Sequence, residues 1–127
     1  MKYKLQITIL LILTFSSCKN KIDYKILGKW EGIRTLKTGI TGSEFTQVHR
    51  IEFSDDNKGW EKSIDLENGN PYKVVVFEYS IKGDSIFFIN IDKSKEQRHI
   101  NILTDSKLIL TSQISGTKYY YELNKTN

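Results

Sequence analysis

The chain has 127 residues, a formal net charge of +4, two histidines and one cysteine. A single cysteine excludes an internal disulfide, and this length leaves room for one ordinary domain core. Lys2 and Lys4 supply half of the net charge, so the balance of the remainder gives little support to nucleic-acid binding, and no nucleic-acid partner is expected.

Lys2 and Lys4 precede the apolar stretch Leu5 to Phe15, which exits through Phe15-Ser16-Ser17-Cys18. The stretch is too short to cross a bilayer, which takes about 20 residues. Its order of basic, apolar and small residues is that of a cleaved export signal. The segment resembles the lipobox of bacterial lipoproteins, with Phe15 standing where that motif usually carries an aliphatic residue. The resemblance implies a signal peptide over 1–17, Cys18 as the lipidation site, and attachment to a membrane through the lipid. It places the protein in the bacterial cell envelope. Lys19 stands where an inner-membrane lipoprotein commonly has aspartate, which favours the outer membrane. Residues 18–27 then read as the lipidated cysteine and a short linker, with Lys19, Lys21 and Lys25 close to the lipid surface.

From residue 28 to 127 the sequence reads as one all-β domain. Short runs rich in Ile, Val, Phe, Tyr and Thr predict strands over Lys29–Leu36, Phe45–Phe53, Gly59–Asp65, Tyr72–Ile81, Ser85–Ile91, Gln97–Leu103, Lys107–Gln113 and Lys118–Asn124. Turn formers separate them, including Asp55-Asp56-Asn57-Lys58, Lys82-Gly83-Asp84, Thr104-Asp105-Ser106 and Ser115-Gly116. Eight short strands with short connections predict consecutive antiparallel hairpins. No helical pattern is present to cover an open sheet, so the meander is expected to close into an eight-stranded up-and-down barrel, which removes both edges.

Alternation assigns the inward face to Ile51 and Phe53, Phe77, Tyr79 and Ile81, Ile100 and Ile102, Leu108 and Leu110, and Tyr119, Tyr121 and Leu123. Ile86-Phe87-Phe88-Ile89 is apolar on both faces and leaves its phase open. Its outward pair is expected to meet the segment Ile22 to Leu27.

Gly28-Lys29-Trp30 at the start of the first strand resembles the first signature of the lipocalins, whose tryptophan closes the barrel floor. With Ile51-Glu52-Phe53-Ser54-Asp55-Asp56 and Tyr79-Ser80-Ile81-Lys82-Gly83-Asp84, the chain looks like the small bacterial lipocalin-like lipoproteins over roughly residues 26 to 125. The resemblance implies Gly28 and Trp30 at the floor and a cup for a small hydrophobic or amphipathic molecule. A Thr-Asp-Tyr motif and an arginine that would stack on Trp30 are not evident; Lys118 is the cation noted in the last strand.

A floor at the start of the first strand puts short turns there and the loop Lys37 to Glu44 at the mouth, as its longest connection. Carrying the inward phase upward brings Arg34, Phe45, Gln47, His49, Lys73, Arg98 and Tyr119 to the upper interior. Apolar walls with convergent polar groups are the usual form of a small-molecule site, and cations at its rim suit a carboxylate or phosphate. Two histidines on separate strands make a poor metal site, no phosphate loop or hydrolase motif is present, and neither a metal, a cofactor nor catalysis is expected. A monomer is expected. A barrel packed solid would instead point to a protein-interaction module, such as an envelope inhibitor, immunity or accessory protein.

Overall fold

The computed structural model of the chain describes residues 21–39, 42–66, 69 and 72–126; the leader and Cys18 lie outside the described residues. A short helix, α1 (Lys21–Ile26), leads into eight strands: β1 (Gly28–Thr38), β2 (Glu44–Phe53), β3 (Lys58–Asp65), β4 (Val75–Lys82), β5 (Ser85–Asn90), β6 (Lys95–Leu103), β7 (Lys107–Ile114) and β8 (Thr117–Thr126). Each pairs antiparallel with its sequence neighbours, and β1 also pairs with β8, closing the barrel. The closed all-β barrel is the expected architecture. Closure gives every strand two partners, so none exposes a free edge along its full length.

The turns follow from local chemistry. Gly83 (φ 58°) takes the first central position of the two-residue β4–β5 connection, as a type II′ hairpin requires. Ser115 (φ 50°) and Gly116 (φ 82°) are both left-handed, which is the type I′ pattern between β7 and β8. Thr104 Oγ1 accepts from the backbone N–H groups of Ser106 (3.3 Å) and Lys107 (2.9 Å), tightening the β6–β7 turn.

Inward alternation buries Trp30, Ile51, Phe53, Phe77, Tyr79, Ile86, Phe88, Ile100, Leu108, Leu110, Tyr121 and Leu123 in one cluster, with Ile81, Leu103 and Tyr119 packed against it. Phe53, Phe77, Tyr79 and Phe88 meet edge-on or tilted, with ring centroids 4.9–6.2 Å apart. The open phase of β5 resolves with Ile86 and Phe88 inside and Ile89 outside.

Several expectations need correction. Ile102 is 44% exposed: a bulge between Ile100 and Ile102 shifts the β6–β7 register by one residue and hands the inward position to Leu103. The supposed linker contains α1, and Ile26 enters the core under the floor instead of lying on the outer face of β5. β4 begins at Val75, not Tyr72, which makes 66–74 the longest connection at the mouth.

The floor joins the segment that leads into β1 with the end of β8. Trp30 Nε1 donates to Ile26 O at 2.8 Å, and Lys125 Nζ donates to Leu27 O and to Lys25 O at 3.4 Å. These bonds satisfy carbonyls that end the helix without intrahelical partners, and a cation there matches the helix dipole. The same ammonium lies 5.0 Å from the Trp30 ring centroid, so the stacking cation is Lys125, while Lys118 sits at the opposite end of β8.

Two glycines mark where backbones approach too closely for a side chain. A Cβ on Gly32 would sit 1.9 Å from Glu122 O, and one on Gly59 would sit 2.1 Å from Glu52 O and 2.6 Å from the Phe77 ring. Gly32→Ala is therefore expected to lower the unfolding free energy by about 3 kcal/mol, read from urea melts; an unchanged midpoint would contradict the close β1–β8 approach. Ser115→Asn, which installs the Asn-Gly pair favoured by type I′ turns, is expected to raise the melting temperature by a few degrees, corresponding to about 0.5–1 kcal/mol.

Candidate functional site

Above the aromatic floor the inward alternation turns polar. Gln47 and His49 on β2, Glu61 and Ser63 on β3, and Arg98 on β6 are all buried at positions that the strand period points into the barrel. Arg98 Nη1 donates to Glu61 Oε2 at 2.7 Å, and Nη2 donates to Glu61 Oε1 at 2.7 Å and to Glu96 Oε2 at 2.6 Å. Its guanidinium lies between the Phe88 ring, 4.4 Å from the centroid, and the Tyr121 ring, 4.6 Å away. Arg98 Nε makes no hydrogen bond among the described residues.

Electrostatics fix each group in one state. Burial pushes the Glu61 carboxyl up, but the Arg98 charge and the hydrogen bonds from His49 and Arg98 outweigh it and hold the group well below the usual carboxylate range. Burial lowers the His49 pKa, against the pull of Glu61. It would lower Arg98 too, but Glu61 keeps the guanidinium firmly charged. Burial raises Tyr121 to about 12. With Glu61 ionised and acceptor-only, neutral His49 donates from Nε2 to Glu61 (3.2 Å) and accepts at Nδ1 from Ser63 Oγ (2.9 Å).

Ser63, His49 and Glu61 thus share the connectivity of a nucleophile, base and orienting carboxylate. Their placement works against that chemistry. Ser63 is 4% exposed, and the carboxylate is already held by two guanidinium bonds. The arrangement ties three strands together across the barrel axis.

The residues expected around the cup separate into three groups. Gln47, His49 and Arg98 are in the interior, where His49 and Arg98 both bond Glu61 and Gln47 accepts from Arg34. Arg34 and Tyr119 are half-buried just above: Arg34 donates through Nε (2.9 Å) and Nη2 to Gln47 Oε1 and lies 5.7 Å from the Tyr119 centroid. Phe45 and Lys73 do not line the interior. Phe45 is 57% exposed because β2 runs past the packed core there. Lys73 lies in the connection before β4, so strand alternation does not turn it inward. Gly28 and Trp30 are at the floor as expected. Glu61, Glu96 and Ser63 are the network members that the sequence reading did not single out.

A cavity of about 860 Å³ opens mainly on the outer wall. Two cross-strand rows supply most of its lining, with Ser112 and Tyr119 contributing from the inward-facing positions between them. Thr35, Tyr120, Thr111 and His99 form one row, and Glu44, Lys37, Lys118 and Gln113, with Gln97 beyond, form the other. All occupy positions that alternate with inward-facing neighbours, and Tyr120, between Tyr119 and Tyr121, is 43% exposed. Among the described residues no group of three His, Cys, Asp or Glu side chains could hold a metal.

The model of the lipocalin-like domain family matches residues 26–110. Among solved structures, the chain is similar to a lipocalin-like protein from Bacteroides uniformis, at 19% identity and a TM-score of 0.55, and to an uncharacterized protein from Bacteroides eggerthii, at 17% identity and 0.53. Each alignment covers 80% of this chain and 99% of the other. At those identities the likeness is one of fold. No curated protein sequence matches the chain.

Arg98→Met strands the Glu61 charge and is expected to cost about 3–5 kcal/mol of stability, whereas the double variant Glu61→Leu/Arg98→Met recovers most of it; chemical denaturation of the three proteins measures this, and equal losses in single and double variants would refute the pairing. Acid is expected to destabilise the protein in two steps. His49 binds a proton less readily folded than unfolded, so its contribution is complete above pH 6.5 and declines as the pH falls below that value. Glu61, held low, adds a further decline below pH 4.5. Each step has a limiting slope of about 1.4 kcal/mol per pH unit. Melting temperatures from pH 8 to 2 test both, and His49→Gln should erase the upper step alone.

Proposed function

The chain belongs to the lipocalin-like domain family, and from that footing we propose that it is a non-enzymatic binding protein, anchored in the bacterial envelope through a lipid on Cys18, that holds a small amphipathic molecule against its outer wall. The observation that carries this reading is the position of its space: the interior at mid-height is occupied by Arg98, Glu61, His49 and the rings around them, while about 860 Å³ opens outside across β6, β7, β8, β1 and the start of β2. A volume of this order lies within the range of small-molecule sites, roughly 300–1,000 Å³.

The anchor rests on the leader and Cys18, and the fold is compatible with it. α1 begins three residues after Cys18 and ends under the floor, so an acylated Cys18 would hold the closed end close to the membrane and leave the outer wall near the mouth facing water. Burying two or three acyl chains, at about 0.8 kcal/mol per methylene, gives stable attachment. A monomer on the outer membrane is the simplest form of this reading.

A second reading, a solid barrel that docks a protein partner, draws on a different surface. Val74, Val76, Ile89 and Ile91 are exposed on β4, β5 and their flanking connections, and Ile91 N donates to Val76 O at 3.1 Å. A contiguous apolar patch of this kind is a frequent mark of an interaction site.

Native mass spectrometry of the protein purified from its own cells is expected to show a bound small molecule that Tyr120→Ala reduces. Bare protein in every preparation, together with a discrete protein partner lost on Ile91→Asp, would favour the second reading. Metabolic labelling with palmitate is expected to mark the wild type and not Cys18→Ala; equal membrane association of both would overturn the anchor.

A further inference from the structure

We infer that the outer-wall groove is built for an amphipathic anion, with an acid group at Lys37 and Lys118 and a flat apolar body against Tyr120; this rests on the groove being the binding site. Lys37 and Lys118 are register partners on β1 and β8. Side chains in such cross-strand positions on one face lie about 5 Å apart at Cβ, and like charges placed so are mutually unfavourable. Neither ammonium makes a hydrogen bond or an ion pair among the described residues, although Glu44 is the register partner of Lys37 on its other side. Two other pairs of charges on the wall do meet: Arg50 reaches Glu31 at 3.2 Å, and Lys107 reaches Glu122 at 3.1 Å. Two opposed ammoniums without a partner sit here inside a concavity, and an anion seated between them would relieve their repulsion and gain two charge-assisted hydrogen bonds.

The rest of the groove supplies the other half of such a ligand's chemistry. Tyr120 is the register partner of Thr35 on one side and Thr111 on the other, and Thr111 is that of His99. The row therefore offers an aromatic ring flanked by threonine methyl groups and an imidazole, next to the row that carries the lysines. A planar apolar body lying along it would bury the ring face while its acid group reaches one row toward the mouth. Rings bury large areas at little entropic cost because so few torsions are fixed. Gln97 and Gln113 close the far end with amide groups suited to hydrogen-bonding a polar edge.

The test uses two probes with the same ring system, 8-anilinonaphthalene-1-sulfonate and the uncharged N-phenyl-1-naphthylamine, titrated by fluorescence into the full chain carrying Cys18→Ser, so that no acyl chain competes. The sulfonate is expected to bind more tightly than the neutral probe. Lys37→Gln/Lys118→Gln is expected to weaken the sulfonate about tenfold or more and leave the neutral probe within about twofold, while Tyr120→Ala weakens both. These surface variants should melt at the wild-type temperature. Equal affinity for the two probes, or a double variant that weakens neither, would overturn the anion assignment while Tyr120→Ala still reports the groove. Insensitivity of both probes to Tyr120→Ala would remove the groove itself as the site, and with it the reading on which this inference rests.

Discussion

A guanidinium at the centre of the barrel governs what the rest of the molecule can be. Isolated, a buried cation of this size would cost several kcal/mol. Here two carboxylates bond it and two rings flank it, while His49 bonds Glu61 in turn and Ser63 bonds His49. Such a network is stable only when all its members are present, because each satisfies a charge or polar atom that would otherwise be stranded in a low dielectric. It links β2, β3 and β6, which are not all neighbours in the sheet, and so acts across the barrel where backbone ladders act around it. The space that a hollow relative could give to a ligand is spent on this internal brace.

Filling the interior moves the surface to the foreground. A barrel wall is ordinarily convex, and its outward residues alternate with core residues, so outward side chains come in cross-strand rows spaced by the pleat. Rows are a natural basis for recognition because closure fixes their register. The two rows around Tyr120 gain from this: their spacing is set by the β7–β8–β1 pairing, and β1 in turn is fixed by its contact with β8 at Gly32. Rigidity beneath a site lowers the entropy lost on binding.

Much of the fold was legible in the sequence because its signals were local. The eight strands, the turns at Gly83 and Ser115-Gly116 and the inward set from Ile51 to Leu123 follow from period and turn chemistry, which neighbouring residues determine between them. What stayed hidden depended on the third dimension. Ile102 looked inward until a one-residue bulge displaced it, and bulges carry no reliable local signature. Glu61 alternates with Lys62 and Trp60 in a strand that reads as half polar, and only Arg98, far along the chain, explains why an acid sits inside. Lys125 lies one residue beyond the last predicted strand, and its role at the floor needs the first strand beside the last. Arg98 and His49 were recognisable as inward, but alternation could not say whether they would line a cup or fill it, and Phe45 and Lys73 fell outside because the period says nothing about where the packed core ends.

The closing contacts at the floor join residues separated by almost the whole chain: Lys125 bonds the carbonyl of Leu27, and β8 completes β1. A chain that emerges from its N-terminus therefore keeps one edge of β1 unpaired, and the carbonyls at the end of α1 without their ammonium, until β8 and Lys125 arrive. Pairings of such large sequence separation form slowly because a long loop must be closed before they gain anything. The barrel closes only when β8 docks; its ten residues act as the latch, and until they pair, the nascent sheet is open and depends on its surroundings to keep its edges apart from other chains.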